Sequence, residues 1–556
     1  MRIYSTIIFL AALGFLTYNY DSLIIDAEIY PIIKAHFIPV KYNSEQSIDK
    51  FVQSQKGFAD KQIIGIGEAT HGTAEFREVF ANLTKSLIKH KGFNVLYWAE
   101  KEYYESVALN QYVLGLNDSI PVSILLRNDS EHDRNLVSWI KTYNQTKSEK
   151  DKVWILCGDL YSVTGLARNI LFLCKTYHIT LSNTEYDVLY DLAFMPYGYN
   201  WQDKKYEYNY LINTLKAIEI KTKGIKNDGS LQQAILLNTF NVIQNDLKRI
   251  YSKDKLVRDT NMFEILAWAK ALRENANIII FAHNSHIEKG EGNIMTYENG
   301  RRLGKLINNK YKDQYYTLAT EVENGFYNAR VSKEPIEICT ANNKIGNIIG
   351  KSTNDSSGFL AFNSSKEVFD FFSEKLKITY GVNNTENAYC SIHKNTSEAF
   401  DGLFWIKTST PLVRANPFFN GITAYINPEK YHLKDSINIS YEVQYKKYYG
   451  KDGYDDMPNL LFVFFDKQEQ IVSYTGLPLN NGKGSYTVKI PNNVAKIGVQ
   501  FGADNLHSFT LKNLKCNNVS VNLRTAYYTT FNYAVQRDST QFQFKIKEAF
   551  VHEPGL

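Results

Sequence analysis

The 556-residue chain holds five cysteines, Cys157, Cys174, Cys339, Cys390 and Cys516, and no two of them are spaced as C-x-x-C. That spacing excludes a zinc ribbon and a thioredoxin-type redox pair. Cys157 and Cys174 stand in apolar runs and read as core residues, and no disulfide framework is expected. There is no G-x-S-x-G, which excludes a nucleophile elbow. There is no H-E-x-x-H, which excludes the commonest zinc-protease helix. Gly65-Ile66-Gly67 runs on into Glu68-Ala69-Thr70-His71, so no G-x-G-x-x-G follows a strand. Gly346-Asn347-Ile348-Ile349-Gly350-Lys351-Ser352 is one residue short of a P-loop and reads as a loop. A net charge of +5 over this length, with no basic stripe, argues against a nucleic-acid partner. Neither a fixed-period repeat nor a low-complexity tract is present.

What the chain does have is an ordinary globular composition, 44% hydrophobic and 22% charged, with many aromatics: 39 Tyr and 32 Phe. Its length allows roughly two to four domains. Arg2 precedes an apolar run from Ile7 to Leu16, the charge and length of a secretory leader. Residues 1–27 are therefore expected to be a signal peptide or an N-terminal membrane anchor, and the protein to be exported: periplasmic, secreted or membrane-anchored.

Short continuous apolar runs at Ile63–Glu68, Val95–Glu100, Val153–Asp159, Ile278–His283, Tyr316–Thr320 and Gly402–Ile406 have the texture of strands covered on both faces. Helical patterns lie between them. In the first, Phe76, Phe80, Leu83 and Leu87 share one face, with Thr73 at the start and Gly92 at the stop. This alternation predicts an α/β domain over 28–412, a mostly parallel sheet flanked by helices, with a helical insertion over about 183–275 that would be a lid or plain scaffold. Beyond Pro417 the pattern changes. Ile437–Val443, Tyr486–Ile490 and Val519–Val521 alternate apolar and polar, Leu460–Phe465 is continuous, and turn residues separate them. Residues 413–556 thus read as an all-β sandwich, jelly-roll-like, without a catalytic cluster. By analogy such a module would contact glycan or serve packing.

Two strands end in imidazoles: Ile63–Glu68 leads to His71, and Ile278–His283 leads to His286. Open α/β sheets place their chemistry outside the carboxyl ends of strands. The candidate catalytic residues are His71, Glu68, Glu75, Glu100, His283 and His286. A neutral imidazole paired with a carboxylate can activate water near pH 7, and a second imidazole or an Arg can bond an oxygen that turns negative. The same groups could instead hold a divalent metal, which stays open here. A lone His is more often structural, as His90, His132, His178 and His432 are read to be; two His-bearing strand ends in one chain outweigh that.

The residues in order are similar to one family. Gly67-Glu68-Ala69-Thr70-His71-Gly72-Thr73-Ala74-Glu75-Phe76, Gly92-Phe93 before Glu100, Asn110–Val113, Trp139–Asn144, Gly158-Asp159, Arg258-Asp259, Ala282-His283-Asn284-Ser285-His286-Ile287, Leu303–Leu306 and Phe400-Asp401 resemble the erythromycin esterases. The resemblance implies a metal-independent hydrolase, needing no cofactor, that opens macrolide lactones or other carboxylic esters and would serve antibiotic resistance. Carried onto this chain, it makes His71 the general base. Glu68 and Glu75 orient it or the water. Glu100, His283 and His286 line the cleft and stabilise the oxyanion. Arg77, Arg258 and Asn284 are expected to bind the substrate. Two positions depart from the family's habit: Arg77 stands where a second aromatic is common, and Phe80 where a basic residue is common. Distant relatives look like exopolysaccharide biosynthesis proteins, so the alternative expectation is an exopolysaccharide-related or sugar-binding protein with little or no esterase activity.

Overall fold

The computed structural model describes residues 28–116, 130–160, 163–193, 206–252, 257–290, 302–328, 335–381, 389–393, 395–412, 421–447, 459–467, 471–502, 506–529 and 533–546. The apolar run Ile7–Leu16 lies outside them. Among the described residues no helix is long and apolar enough to cross a membrane. The chain separates into two compact units. One holds residues 1–119, 130–160 and 254–412; the other holds 120–129, 161–253 and 413–556.

The first unit is built on one sheet. Its strands are β1 (Ile38–Pro39), β2 (Ile63–Glu68), β3 (Val95–Glu102), β4 (Trp154–Asp159), β5 (Ile278–His283), β6 (Tyr315–Tyr327), β7 (Ile336–Glu337), β8 (Ser357–Ala361) and β11 (Gly402–Ser409). They run in the order β1-β8-β11-β6-β2-β5-β3-β4, with β7 hanging on β6. The six strands from β11 to β4 are parallel to one another, and β8 and β1 close one edge antiparallel. The expected mostly parallel sheet is therefore present, and the expected strands recur in it, β6 running seven residues past the expected end at Thr320. A separate hairpin joins β9 (Leu376–Tyr380) to β10 (Tyr389–His393).

Every residue of β2 and of β5 is buried, which is why both read as unbroken apolar runs. The helix Ala74–Lys91 covers one face with Phe76, Phe80, Leu83 and Leu87, all 1% exposed or less. Each such side chain contributes roughly 1.5–3 kcal/mol by leaving water. Phe80 stacks on Phe281 of β5 with centroids 3.9 Å apart, so an apolar residue is required at position 80. Gly67 permits a close approach: a Cβ there would fall 2.1 Å from Asn284 Oδ1.

Two expectations are corrected. Ile345–Ser352 is a helix and not a loop; Ile345, Ile348, Ile349 and Ser352 bury one face of it. Cys339 and Cys390 form a disulfide, although no framework was expected; it ties β10 to a segment 51 residues earlier in the sequence.

The second unit contributes the helices Val163–Thr176, Asn183–Ala193, Tyr208–Thr222 and Leu231–Ser252, the last three of which fall within the expected helical insertion. It also contributes two antiparallel sheets of five and six strands drawn from residues 421–546. Ile437, Ile439, Tyr441 and Val443 alternate into its core, as the period of two requires.

Candidate active site

The register of the parallel strands brings the chemistry together. Glu68 ends β2 beside His283, which ends β5, and Glu102 near the end of β3 lies beside Asp159, which ends β4. Beyond β2 the chain turns through Ala69–Thr73 into the helix Ala74–Lys91, and that turn is held from several sides. Ala69 N–H donates to Thr320 Oγ1 of β6 at 3.1 Å. Its carbonyl accepts from His283 Nε2–H at 3.1 Å and from Gly381 N–H at 3.0 Å. His71 N–H donates to the Gly381 carbonyl at 3.2 Å.

So held, His71 sets Nδ1 2.7 Å from Glu68 Oε1 and 3.4 Å from Glu100 Oε2. Glu68 is fully buried, whereas the His71 side chain keeps 18% of its surface open, and the nitrogen left for a ligand is Nε2. Arg77 is buried and faces the same carboxylates: its guanidinium lies 3.3 Å from Glu68, 4.0 Å from Glu100 and 3.9 Å from Asp133, over the ring of Phe281. Glu100 also accepts the His283 backbone N–H at 2.6 Å. The rings of His71 and His283 meet edge to face with centroids 5.2 Å apart. The two imidazole-bearing strand ends thus face each other.

The histidines differ in state. Burial works against an imidazolium at His71, but Glu100 and then Glu68 outweigh it and hold the pKa above the usual 6.5. Burial, with Glu68 adding to it, raises Glu100 in spite of His71 and Arg77. Burial pushes His283 well below 6.5, and the neighbouring His71 and His286 push it further. Both His283 nitrogens are engaged: Nδ1 accepts from Ser285 N–H at 3.2 Å, and Nε2–H donates to Ala69. His286 pairs its Nδ1 with Asp259 Oδ2 at 2.9 Å. Burial would raise Asp259, but His286, Arg302 and Arg258 overcome it and hold the carboxyl well below the usual range.

Other expected residues are placed differently. Glu75 turns to Thr410, accepting from its N–H at 2.8 Å and from its hydroxyl at 2.6 Å. Arg258 is bound by both oxygens of Asp159, at 2.7 and 2.8 Å. Asn284 brackets the Thr320 backbone, donating to its carbonyl at 2.9 Å and accepting its N–H at 3.2 Å. Residues the sequence reading gave no role include Asp259, Asp133, Arg302 and Tyr380, whose ring lies edge-on to His283 at 4.9 Å. Asp259 had a signal in its Arg258-Asp259 pair; Tyr380 had none.

Glu68, His71 and Glu100 offer ligand atoms within 4.8 Å of one another, a spacing open to a divalent cation. The His71–Glu68 hydrogen bond and the Arg77 guanidinium already serve those carboxylates, so a cation would have to displace them.

A parallel α/β sheet with two imidazole–carboxylate pairs at its carboxyl ends is the framework of a hydrolase-like enzyme. The erythromycin esterase family model matches residues 88–409, and the chain belongs to that family. The match takes in His283 and His286 and begins after the Glu68–Arg77 segment. Three solved structures are similar. A Bacillus cereus protein matches with a TM-score of 0.60 at 20% identity, over 70% of this chain and 98% of its own. A succinoglycan biosynthesis protein matches at 0.59 and 17%, over 70% and 98%. A mutant of the erythromycin esterase EreC in its open conformation matches at 0.52 and 14%, over 68% and 98%. At these identities the likeness is one of fold.

Proposed function

We propose that the chain is a hydrolase that cleaves a carboxylic ester or a macrolide lactone with water activated by His71. The observation that carries this reading is the His71 ring itself. It is tied at Nδ1 to a buried carboxylate, flanked by a second, and open on its remaining side at the carboxyl end of a parallel strand. Neutral His71 takes a proton from water at Nε2 as the oxygen attacks the carbonyl, and Glu68 stabilises the imidazolium that forms. The proton so taken returns from His71 Nε2–H to the leaving alkoxide, and His286, fixed at Nδ1 by Asp259, bonds the developing oxyanion through Nε2–H when it is an imidazolium. His283 has no free nitrogen and serves as a clamp on the Ala69–His71 turn.

Two features support export. The Arg2 and Ile7–Leu16 segment has the make-up of a leader, and the Cys339–Cys390 disulfide suits an oxidising compartment.

The test is to incubate the purified chain with macrolides and simple esters and look for hydrolysed product by mass spectrometry. Turnover lost in His71→Ala supports the reading. Glycan-array binding with no ester turnover would favour a sugar-binding protein instead. Turnover that a chelator abolishes and a divalent metal restores would move the chemistry to a cation on Glu68, His71 and Glu100.

A further inference from the structure

We propose that Tyr380 is a positioning residue of this site, holding the His283 ring and, with Gly381, the turn that carries His71. The inference rests on the hydrolase reading. His283 lies between two rings, His71 at 5.2 Å and Tyr380 at 4.9 Å, both edge to face. That packing fixes the imidazole where Nδ1 meets Ser285 N–H and Nε2–H meets the Ala69 carbonyl. The next residue completes the hold: Gly381 N–H reaches the same Ala69 carbonyl, and the Gly381 carbonyl takes His71 N–H. Two consecutive residues on one strand end therefore brace both imidazoles.

The brace is itself anchored. An isolated two-stranded hairpin is marginal in water. This one is tied to the main sheet at Thr379, whose N–H donates to Glu321 Oε2 at 2.8 Å and whose hydroxyl donates to Glu321 Oε1. Across the hairpin from Thr379 stands Cys390, joined covalently to Cys339. The Cys339 carbonyl accepts from buried Lys344 Nζ at 3.1 Å. Lys377 N–H donates to Asn343 O at 3.0 Å. Tyr380 so arrives beside His283 from a fixed support. Without the ring, room opens beside His283, the imidazole can turn, and Ala69 loses a donor. A catalytic group displaced by about 1 Å can cost on the order of 100-fold in rate.

Two readouts test this in the full chain. In ester or lactone turnover, Tyr380→Leu is expected to lower kcat roughly 10- to 100-fold with KM within about twofold, and Tyr380→Phe, which keeps the ring, to stay near the wild type. Independently of turnover, nitrogen NMR of the histidine rings should show His283 as the neutral Nε2–H tautomer, lost or shifted in Tyr380→Leu and kept in Tyr380→Phe. A wild type that turns over no ester ends the hydrolase reading and leaves the NMR arm to decide this one. Wild-type kcat with an unchanged His283 signal in Tyr380→Leu would overturn the inference. So would a rise in KM alone, which assigns Tyr380 to substrate binding, or an equal loss in Tyr380→Phe. If Tyr380→Leu does not fold, Tyr380→Met takes its place; failure of both also overturns it, because the ring then serves the fold.

Discussion

His71 Nδ1 stands 2.7 Å from Glu68 Oε1, an imidazole with an open side tied to a carboxylate with none. Fully buried Glu68 has the His71 Nδ1–H and the Arg77 guanidinium as its partners, and a buried carboxylate left without such partners is costly. The relationship runs both ways, since the same carboxylate fixes the ring and makes it more basic. Three consequences can be measured.

The first concerns pH. A general base works only when neutral, and the pKa of His71 is raised above 6.5 by Glu100 and Glu68 in spite of burial. The rate should therefore be low in acid and rise with pH through a midpoint above 6.5. A kcat/KM profile over pH 5 to 9 reads it, and a limb centred below 6.5 contradicts the assignment.

Replacing the orienting carboxylate should move that limb. Glu68→Gln removes a charge that raises the His71 pKa, so the acidic limb shifts to lower pH. At the same time kcat should fall by about 10- to 100-fold, because the imidazolium formed in the reaction loses its counter-charge. An unshifted limb would show that Glu100 alone sets the basicity.

Arg77 is a matter of stability. It is buried among Glu68, Glu100 and Asp133, and Arg77→Met leaves those carboxylates without their cation. Breaking a buried pair costs about 3–5 kcal/mol, read as a lower denaturation midpoint.

Reduction of Cys339–Cys390 should also destabilise the fold. The bridge closes a segment of 51 residues, for which about 2–4 kcal/mol is typical. Thermal melts with and without reductant check this, and identical melts would contradict it.

Much of this was legible in the sequence, for a physical reason. Strands covered on both faces must be apolar throughout, so β2 and β5 declare themselves, and the polar residues that end them stand out. The helix Ile345–Ser352 was hidden by its glycines. Gly346 reads as a loop signal, yet it is there because a Cβ would fall 2.3 Å from the Val322 carbonyl. Glu75 shows the opposite error. It was expected to orient His71 or the water, but Thr410, 335 residues later, captures both its oxygens. Tyr380 and the disulfide were illegible because each depends on where the β9–β10 hairpin docks, and no local pattern encodes that.

The account depends above all on His71 as the group that activates water. The most direct test is His71→Ala, with hydrolysis of a macrolide and ester panel followed by mass spectrometry beside a thermal melt. The expected result is a melt close to wild type and turnover lowered by at least about 100-fold, the low end of what a general base supplies. A folded His71→Ala chain that still hydrolyses its substrate at the wild-type rate would contradict it.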